Sequence, residues 1–437
     1  MNNRTNIYIE PYGRGLSYLC SGIIVDIFAR WLSKDAPMQI VPMGNFIEEI
    51  TKSSVKVSED NMYRQQKLLK EFLNVETADI FPFKNYTFID TCYDLLKSKD
   101  LLASIKCRFF QGCDNDGNPV EHYGNAFRIK FEPILSVIED AINSDVITVT
   151  PHIYKKQLVY YLKNELLWIV ASPKENGTLI KEGEIYAGLY AYWHQAGTDT
   201  MHKIMLPEYR TAYCQFFIRI CMIEYARTHT ATPSNIVVGN FRDVTAHIVS
   251  VSLFSYLEGT PLPQIKIYIH NPEDFNLSFY KMKESISEYN SDSSRFAIIY
   301  NLTPRSRMFW DYDAYYEGNR LQRKVKNAFT LIQSWKINDE LYQEAYKMES
   351  YQSIEQELLE LKNRVNNYYS RFRLDLVAMA IKNFIRQRFC NKYLQSVKPK
   401  GADNKSVDKK TYNQAVYMFK ECIELLAPIM PNLYKQL

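Results

Sequence analysis

The strongest constraint in this sequence is the place where its strand signal stops. Before it, short apolar runs alternate with helical patterns. Ile7–Glu10 reads as a strand, a helix follows around Ser21–Ser33, and Gln39–Pro42 reads as a second strand. A helix fits Asn61–Leu73, and Asn235–Gly239 and Gln264–His270 read as strands flanking a helix near Asp243–Leu257. Strand, helix, strand at such spacing predicts a parallel sheet with helical crossovers. From about Ala314 onward no strand pattern remains. Asp339–Tyr369, Arg373–Leu394 and Thr411–Ala427 each show helical apolar spacing instead, with Lys398–Ser406 a polar connector between the last two. The expectation is an α/β body followed by a helical bundle, in a chain of 437 residues that has room for two or three domains.

Charge divides at nearly the same point. Residues 318–437 carry 21 Lys+Arg against 12 Asp+Glu, while the preceding 317 residues carry 32 against 37. A basic C-terminal lobe on a mildly acidic body suits a polyanion such as RNA; the plainer reading is a lysine-rich solvated helical surface. The longest apolar runs, such as Leu166–Ala171 and Ile248–Leu253, fall far short of the roughly 20 residues a membrane span needs. No apolar leader precedes the first strand, so a cytoplasmic protein is expected. The eight cysteines include no C-x-x-C pair and read as buried thiols.

Several short segments then carry a family resemblance. Asn391-Lys392-Tyr393-Leu394 before Lys398-Pro399 resembles the N-K-Y-I…P-W stretch of methionyl-tRNA synthetases, and Leu425–Pro431 is similar to their closing L-L-A-P-F-M-P. Glu121-His122-Tyr123, Pro151-His152-Ile153 and Leu162–Leu166 match further family landmarks in order. So do Gly239 through Asp243 to His247, Gly259–Pro263 with Ile267–His270, and Tyr289–Phe296, which resembles Y-G-A-D-A-L-R-Y. Asp26–Arg30 matches D-I-F-A-R. The resemblance implies a class I aminoacyl-tRNA synthetase fold. Its parts would be a Rossmann-type catalytic domain in two halves (1–105 and 151–313), a reduced connective insertion (106–150) and an all-α anticodon-binding-type bundle (314–437). The implied partners are tRNA and an amino acid or its adenylate, not DNA or a membrane, and the implied cofactor is ATP with Mg2+.

The family activates its amino acid by in-line attack on the α-phosphate of ATP, so its site works by positioning and by stabilising phosphate charge. Its H-x-G-H falls here on one of two registers, Tyr18–Ser21 or Gly15–Tyr18, and neither contains a histidine. No histidine precedes His122 at all. Arg14, Tyr18 and Ser21 are the catalytic candidates that remain. Tyr12, Gly13 and Gly15 either shape a phosphate-facing turn or merely join strand to helix. Lys281 and Lys283, in Lys281-Met282-Lys283-Glu284-Ser285, stand near the place of K-M-S-K-S, or are ordinary helix surface. Gly239, Asp243 and His270 complete the implied nucleotide site. Pro11, Phe46, Trp193 and His247 fall in the implied amino-acid pocket, where Phe46 replaces the acidic partner of the substrate ammonium. Arg323, Lys324, Lys326, Arg386, Arg388 and Asn391 are the implied RNA contacts, although the anticodon-reading L-G-N-x-x-N-R is replaced by Gln322–Asn327 and the expected tryptophan by Lys400. Cys107, Cys113 and His122 are too few to hold tetrahedral zinc, so none is expected.

Overall fold

The computed structural model describes residues 7–9, 23, 24, 26–28, 30–32, 39–41, 96–113, 115, 116, 119–164, 169–171, 177–181, 185–188, 192–194, 201–203, 236–239, 241–269, 291–303, 311–341, 349–399 and 406–437. They fall into two compact units. One takes in the described residues of 7–9, 39–41 and 96–269; the other takes in those of 23–32 and 291–437. The helix expected at Asn61–Leu73 lies outside the described residues.

The first unit is built on parallel strands. β1 (Ile7–Ile9) pairs in parallel with β2 (Gln39–Val41). Between them and the next parallel strands in sequence lies a long antiparallel hairpin, β3 (Leu102–Cys113) with β4 (Pro119–Ile129), extended by β6 (Ile169–Ala171). β5 (Ile147–Thr150), β11 (Ile236–Gly239) and β12 (Ile265–Ile269) form a three-stranded parallel sheet with β12 in the centre. The short strands β7 (Gly177–Lys181), β8 (Ile185–Gly188), β9 (Tyr192–His194) and β10 (Met201–Lys203) form two antiparallel pairs, β7 with β8 and β9 with β10.

Parallel strands cannot be joined by a tight turn, so helices make the crossovers. The described residues of 23–32 form helix α1, though packed in the second unit. In the first unit α2 (Glu132–Asn143) precedes β5, α3 (Tyr154–Asn164) follows it, and α4 (Phe241–Glu258) links β11 to β12. In β12 Ile265, Ile267 and Ile269 are buried while Lys266 is exposed, the period-2 alternation of a strand with one packed face. The helices supply the matching apolar face through Ile134, Ile138, Leu158, Val244 and Ile248. α4 stops at Gly259, whose φ of +68° is left-handed; the Thr260 amide then donates to the Ser255 carbonyl at 2.9 Å.

The second unit is helical. After the helical residues 291–300 (α5), α6 (Tyr312–Gln333) begins at Asp311, whose carboxylate accepts from the Asp313 amide at 2.9 Å. α7 (Glu349–Ser370), α8 (Leu374–Asn383), α9 (Lys409–Leu426) and α10 (Pro431–Gln436) complete it. The 2-residue strands Lys336–Ile337 (β13) and Ser406–Val407 (β14) tie the connectors together. The stretch Arg373–Leu394 is not one α-helix. From Phe384 to Leu394 it winds as an 11-residue π-helix. Its buried doublets Phe384/Ile385, Phe389/Cys390 and Tyr393/Leu394 recur at intervals of five and four, as a widened turn requires.

Cys390 and Cys422 are free and buried in this core, and burial pushes the Cys390 thiol up to about 11. Cys107 and Cys113 both lie on β3. Among the described residues no helix is long and apolar enough to cross a membrane.

Candidate nucleic-acid interface

In open α/β sheets ligands bind beyond the carboxyl ends of the strands. Gly239 is the last residue of β11, and Asp243 and His247 occupy the first two turns of α4, which starts at that edge. Tyr161 meets Phe241 edge-on at 5.2 Å and Tyr154 tilts against it at 6.4 Å, which seats the start of α4 against α3. β12 ends at Ile269, and His270 lies outside the described residues. Trp193 lies on β9, paired with His202 of β10. Pro11, Tyr12, Gly13, Arg14, Gly15, Tyr18, Ser21, Phe46, Lys281 and Lys283 lie outside the described residues.

The expected RNA contacts are described, and they fall into two groups. α6 carries the first. At 100° per residue, Tyr312, Tyr316, Arg320, Arg323 and Asn327 fall on one outward stripe about 22 Å long. Tyr312 and Tyr316 are 45% and 43% exposed, and Arg323, Lys326 and Asn327 are exposed as well. The buried face of the same helix holds Tyr315, Gly318, Leu321, Gln322, Val325 and Ala328, so the cations are pushed outward by the packing of the others. Arg323, Lys324 and Lys326 make no ion pair among the described residues.

The second group is already engaged. Glu317, turned toward α8, accepts from Arg386 Nη1 at 2.6 Å, Arg320 Nη1 at 2.9 Å and Lys382 Nζ at 3.2 Å. Burial alone would raise this carboxyl, but the hydrogen bonds from Lys382 and Arg320 and the nearby charges of Lys382 and Arg386 hold it below its usual range. Lys382 also donates to the Tyr300 hydroxyl at 2.8 Å. Arg388 forks onto Glu357, Nε to Oε2 at 2.5 Å and Nη2 to Oε1 at 2.9 Å. Asn391 donates to the Gln387 side chain at 3.3 Å. Arg386, Arg388 and Lys382 therefore hold α6, α7, α8 and the π-helix together.

The landmark segment Tyr289–Phe296 places Asp292 and Arg295 on α5, both buried. Asp292 accepts from the amides of Leu433 at 2.6 Å and Asn432 at 3.3 Å and so caps α10. Arg295 donates from Nη2 to Asp26 at 2.6 Å and to the Pro428 carbonyl at 2.7 Å, and from Nε to the Ile429 carbonyl at 2.9 Å. Separated only by Ser293 and Ser294, the acid and the base carry no sign in sequence of these distant partners.

Residues 351–437 match the family described as the anticodon-binding domain of tRNA ligase. A valine–tRNA ligase of Phocaeicola vulgatus is 26% identical over 154 residues, 35% of this chain and 17% of that ligase. One from Christiangramia forsetii is 23% identical over 146 residues, 33% of this chain and 16% of that ligase. The chain thus spans less than a fifth of the length of the curated relatives it matches. Among solved structures, the Mycobacterium tuberculosis methionyl-tRNA synthetase in complex with methionyl-adenylate superposes with a TM-score of 0.70 at 11% identity, covering 100% of this chain and 93% of that one. The apo form of the same enzyme gives 0.68 at 10% identity, covering 99% and 91%. The chain is class I aminoacyl-tRNA synthetase-like, with the fold of that class and an anticodon-binding-type domain at its C-terminal end.

Proposed function

We propose that this chain is a tRNA-binding, methionyl-type synthetase relative whose amino-acid-activating site is divergent or inactive. One mismatch within the chain carries the reading. The C-terminal part matches an anticodon-binding domain, and α6 presents cations with no ion pair among the described residues. Yet no histidine stands before His122, where the family's triphosphate-binding H-x-G-H should fall. Losing preorganised donors of this kind costs about 3 kcal/mol of transition-state stabilisation each. The four-part division at residues 105, 150 and 313 and a cytoplasmic location belong to the same proposal.

If activation persists, ATP with Mg2+ supplies the adenylyl group and the chain's own groups supply position and charge. Arg14, Lys281 and Lys283 would neutralise the triphosphate, with Tyr18 and Ser21 as the remaining polar groups of the altered motif. Gly13, Gly15 and Tyr12 would frame the phosphate turn, and Gly239, Asp243 and His270 the nucleotide at the sheet edge. Pro11, Phe46, Trp193 and His247 would enclose the amino acid. The apolar Phe46, in the place of an acidic ammonium partner, supports the alternative of a non-catalytic tRNA- or nucleotide-binding module or scaffold.

ATP–pyrophosphate exchange with each amino acid, with and without total tRNA, tests the catalytic half. Valine and methionine both belong in the panel, since the sequence relatives and the structural neighbours name different amino acids. Absence of exchange with all of them is the expected result for an inactive paralogue. Exchange that Arg14→Ala abolishes would establish an active, divergent enzyme instead.

A further inference from the structure

We propose that a pocket between α2 and α4 binds a small monocarboxylate with an apolar body and no amino group. The pocket has a volume of about 410 Å³, inside the ~300–1,000 Å³ range of small-molecule sites. Ile134 and Val137 line it from α2, and Ser252, Ser255 and Tyr256, at intervals of three and four on α4, line it from one face of that helix. Thr260, Pro261 and Leu262 line it from the turn that leads into β12. That turn precedes the first residue of β12, whereas Gly239 ends β11 at the opposite edge of the parallel sheet. Along α4, Ser252 stands nine residues beyond Asp243, about 14 Å at the helical rise. The pocket is thus separate from the nucleotide-site candidates and independent of the tRNA reading.

Ser252 is 2% exposed, and its Oγ has no hydrogen-bond partner among the described residues. A helical hydroxyl ordinarily finds one in the preceding turn, as Thr245 of the same helix does by donating to the Phe241 carbonyl at 2.7 Å. A buried hydroxyl left without a partner is costly, so a ligand acceptor that meets it gains a bond the fold leaves unmade. Lys99 is the one charged residue of the lining, which contains no carboxylate. It is exposed and makes no ion pair among the described residues, whereas Lys130 is taken up by the adjoining Asp100 at 2.8 Å. An anion that only accepts hydrogen bonds matches this lining, and an ammonium finds no counter-charge in it. One lysine suits a single negative charge better than a phosphate dianion. Ile134, Val137, Pro261, Leu262 and the Tyr256 ring supply apolar surface for the rest of the molecule. Val137 and Tyr256 are 44% and 38% exposed, surface that an apolar body would take out of water.

The test uses the full chain. Octanoate and 3-phenylpropionate are titrated by calorimetry, with octanol and octylamine as analogues of octanoate that differ in charge. The expected result is saturable carboxylate binding that is about tenfold tighter than that of octanol or octylamine, and that Lys99→Ala and Ser252→Ala each weaken by about tenfold. Val137→Trp, at an exposed position, fills the opening and should abolish binding. Lys99→Glu, also at an exposed position, reads the same site by charge reversal if the tryptophan variant melts early. ATP, methionine and valine should not displace the carboxylate. Absence of binding by both carboxylates overturns the inference, and so does equal binding of octanoate, octanol and octylamine. Binding that Lys99→Glu and Ser252→Ala leave unchanged overturns it as well. Displacement by ATP, methionine or valine would assign the carboxylate to the nucleotide or amino-acid site and equally overturn it. None of these measurements involves RNA, so the tRNA reading stands or falls separately.

Discussion

Arg295 Nη2 lies 2.6 Å from Asp26 Oδ2, with the two side chains 0% and 3% exposed, so residues 269 apart in sequence form one buried ion pair. Asp26 also accepts from Arg30 Nε at 2.8 Å. Burial depresses the Arg295 guanidinium, and the Asp26 charge counters it. The arginine remains charged all the same, because its reference value is so high. The pair fixes α1 to α5 and to the carbonyls of Pro428 and Ile429.

Breaking such a pair by removing one partner leaves an uncompensated buried charge and costs about 3–5 kcal/mol. Arg295→Met is therefore expected to lower the urea midpoint strongly. Arg295→Met with Asp26→Leu should recover part of that loss, because neither charge is then stranded. A stability of Arg295→Met within about 1 kcal/mol of wild type would contradict the buried pair.

Gly318 brings α6 against α5. A methyl group there would meet Ser293 Cα at 3.1 Å, the Ser293 carbonyl oxygen at 3.2 Å and Phe296 Cβ at 3.3 Å. Two of these atoms are backbone and cannot swing aside. The helix-propensity gain of about 1 kcal/mol for Gly318→Ala is then offset by an overpacking cost of about 1–3 kcal/mol. Gly318→Leu has a similar propensity gain but far more atoms to place against Ser293 and Phe296, and should lose more than about 2 kcal/mol. Thermal melts of the two variants check the order; equal stability of Gly318→Leu and wild type would refute the close approach.

The pH dependence should show two opposed contributions. Burial raises Asp292 above its ordinary 3.8, outweighing the Leu433 and Asn432 amides. Its stabilising contribution is complete below that value and is lost as pH rises through the folded-state value. Glu317 and Glu357 are held below 4.5 although burial opposes it, by Lys382 and Arg320 in one case and by Arg388 and Ser353 in the other. Their contribution is present above 4.5 and is lost as pH falls through their folded-state values. Glu317→Gln should reduce stability at pH 7 and flatten the acid limb, while Asp292→Asn should flatten the opposite slope. Urea midpoints across pH 3–7 decide; unchanged limbs in both variants would contradict the assigned environments.

Local pattern decides how much of this is legible in the sequence. Ile265–Ile269 and the helix of residues 241–258 are legible, because a period-2 run and a helical run each report the face they bury. The β3–β4 hairpin escapes the sequence reading, although Ile105, Cys107 and Phe109 alternate with Lys106 and Arg108. The π-helix reads as α, since a five-residue interval differs little from the helical one over two turns. Arg386 and Arg388 read as RNA contacts from type and position, but Glu317 and Glu357, 69 and 31 residues away, give them structural partners. Long-range carboxylates of that kind leave no local trace. The family resemblance supplies the nucleotide-site candidates, and most of those fall outside the described residues.

Whether α6 holds tRNA is decided by the salt dependence of binding. Wild type is expected to bind total tRNA with log affinity falling linearly in log salt. Arg323→Ala with Lys326→Ala should reduce that slope by about 1.5, at ~0.7–0.9 for each phosphate no longer neutralised, while Arg386→Ala leaves it unchanged. Absence of tRNA binding at 50 mM salt, or a slope indifferent to the α6 double substitution, would contradict a synthetase-like protein that holds tRNA through this helix.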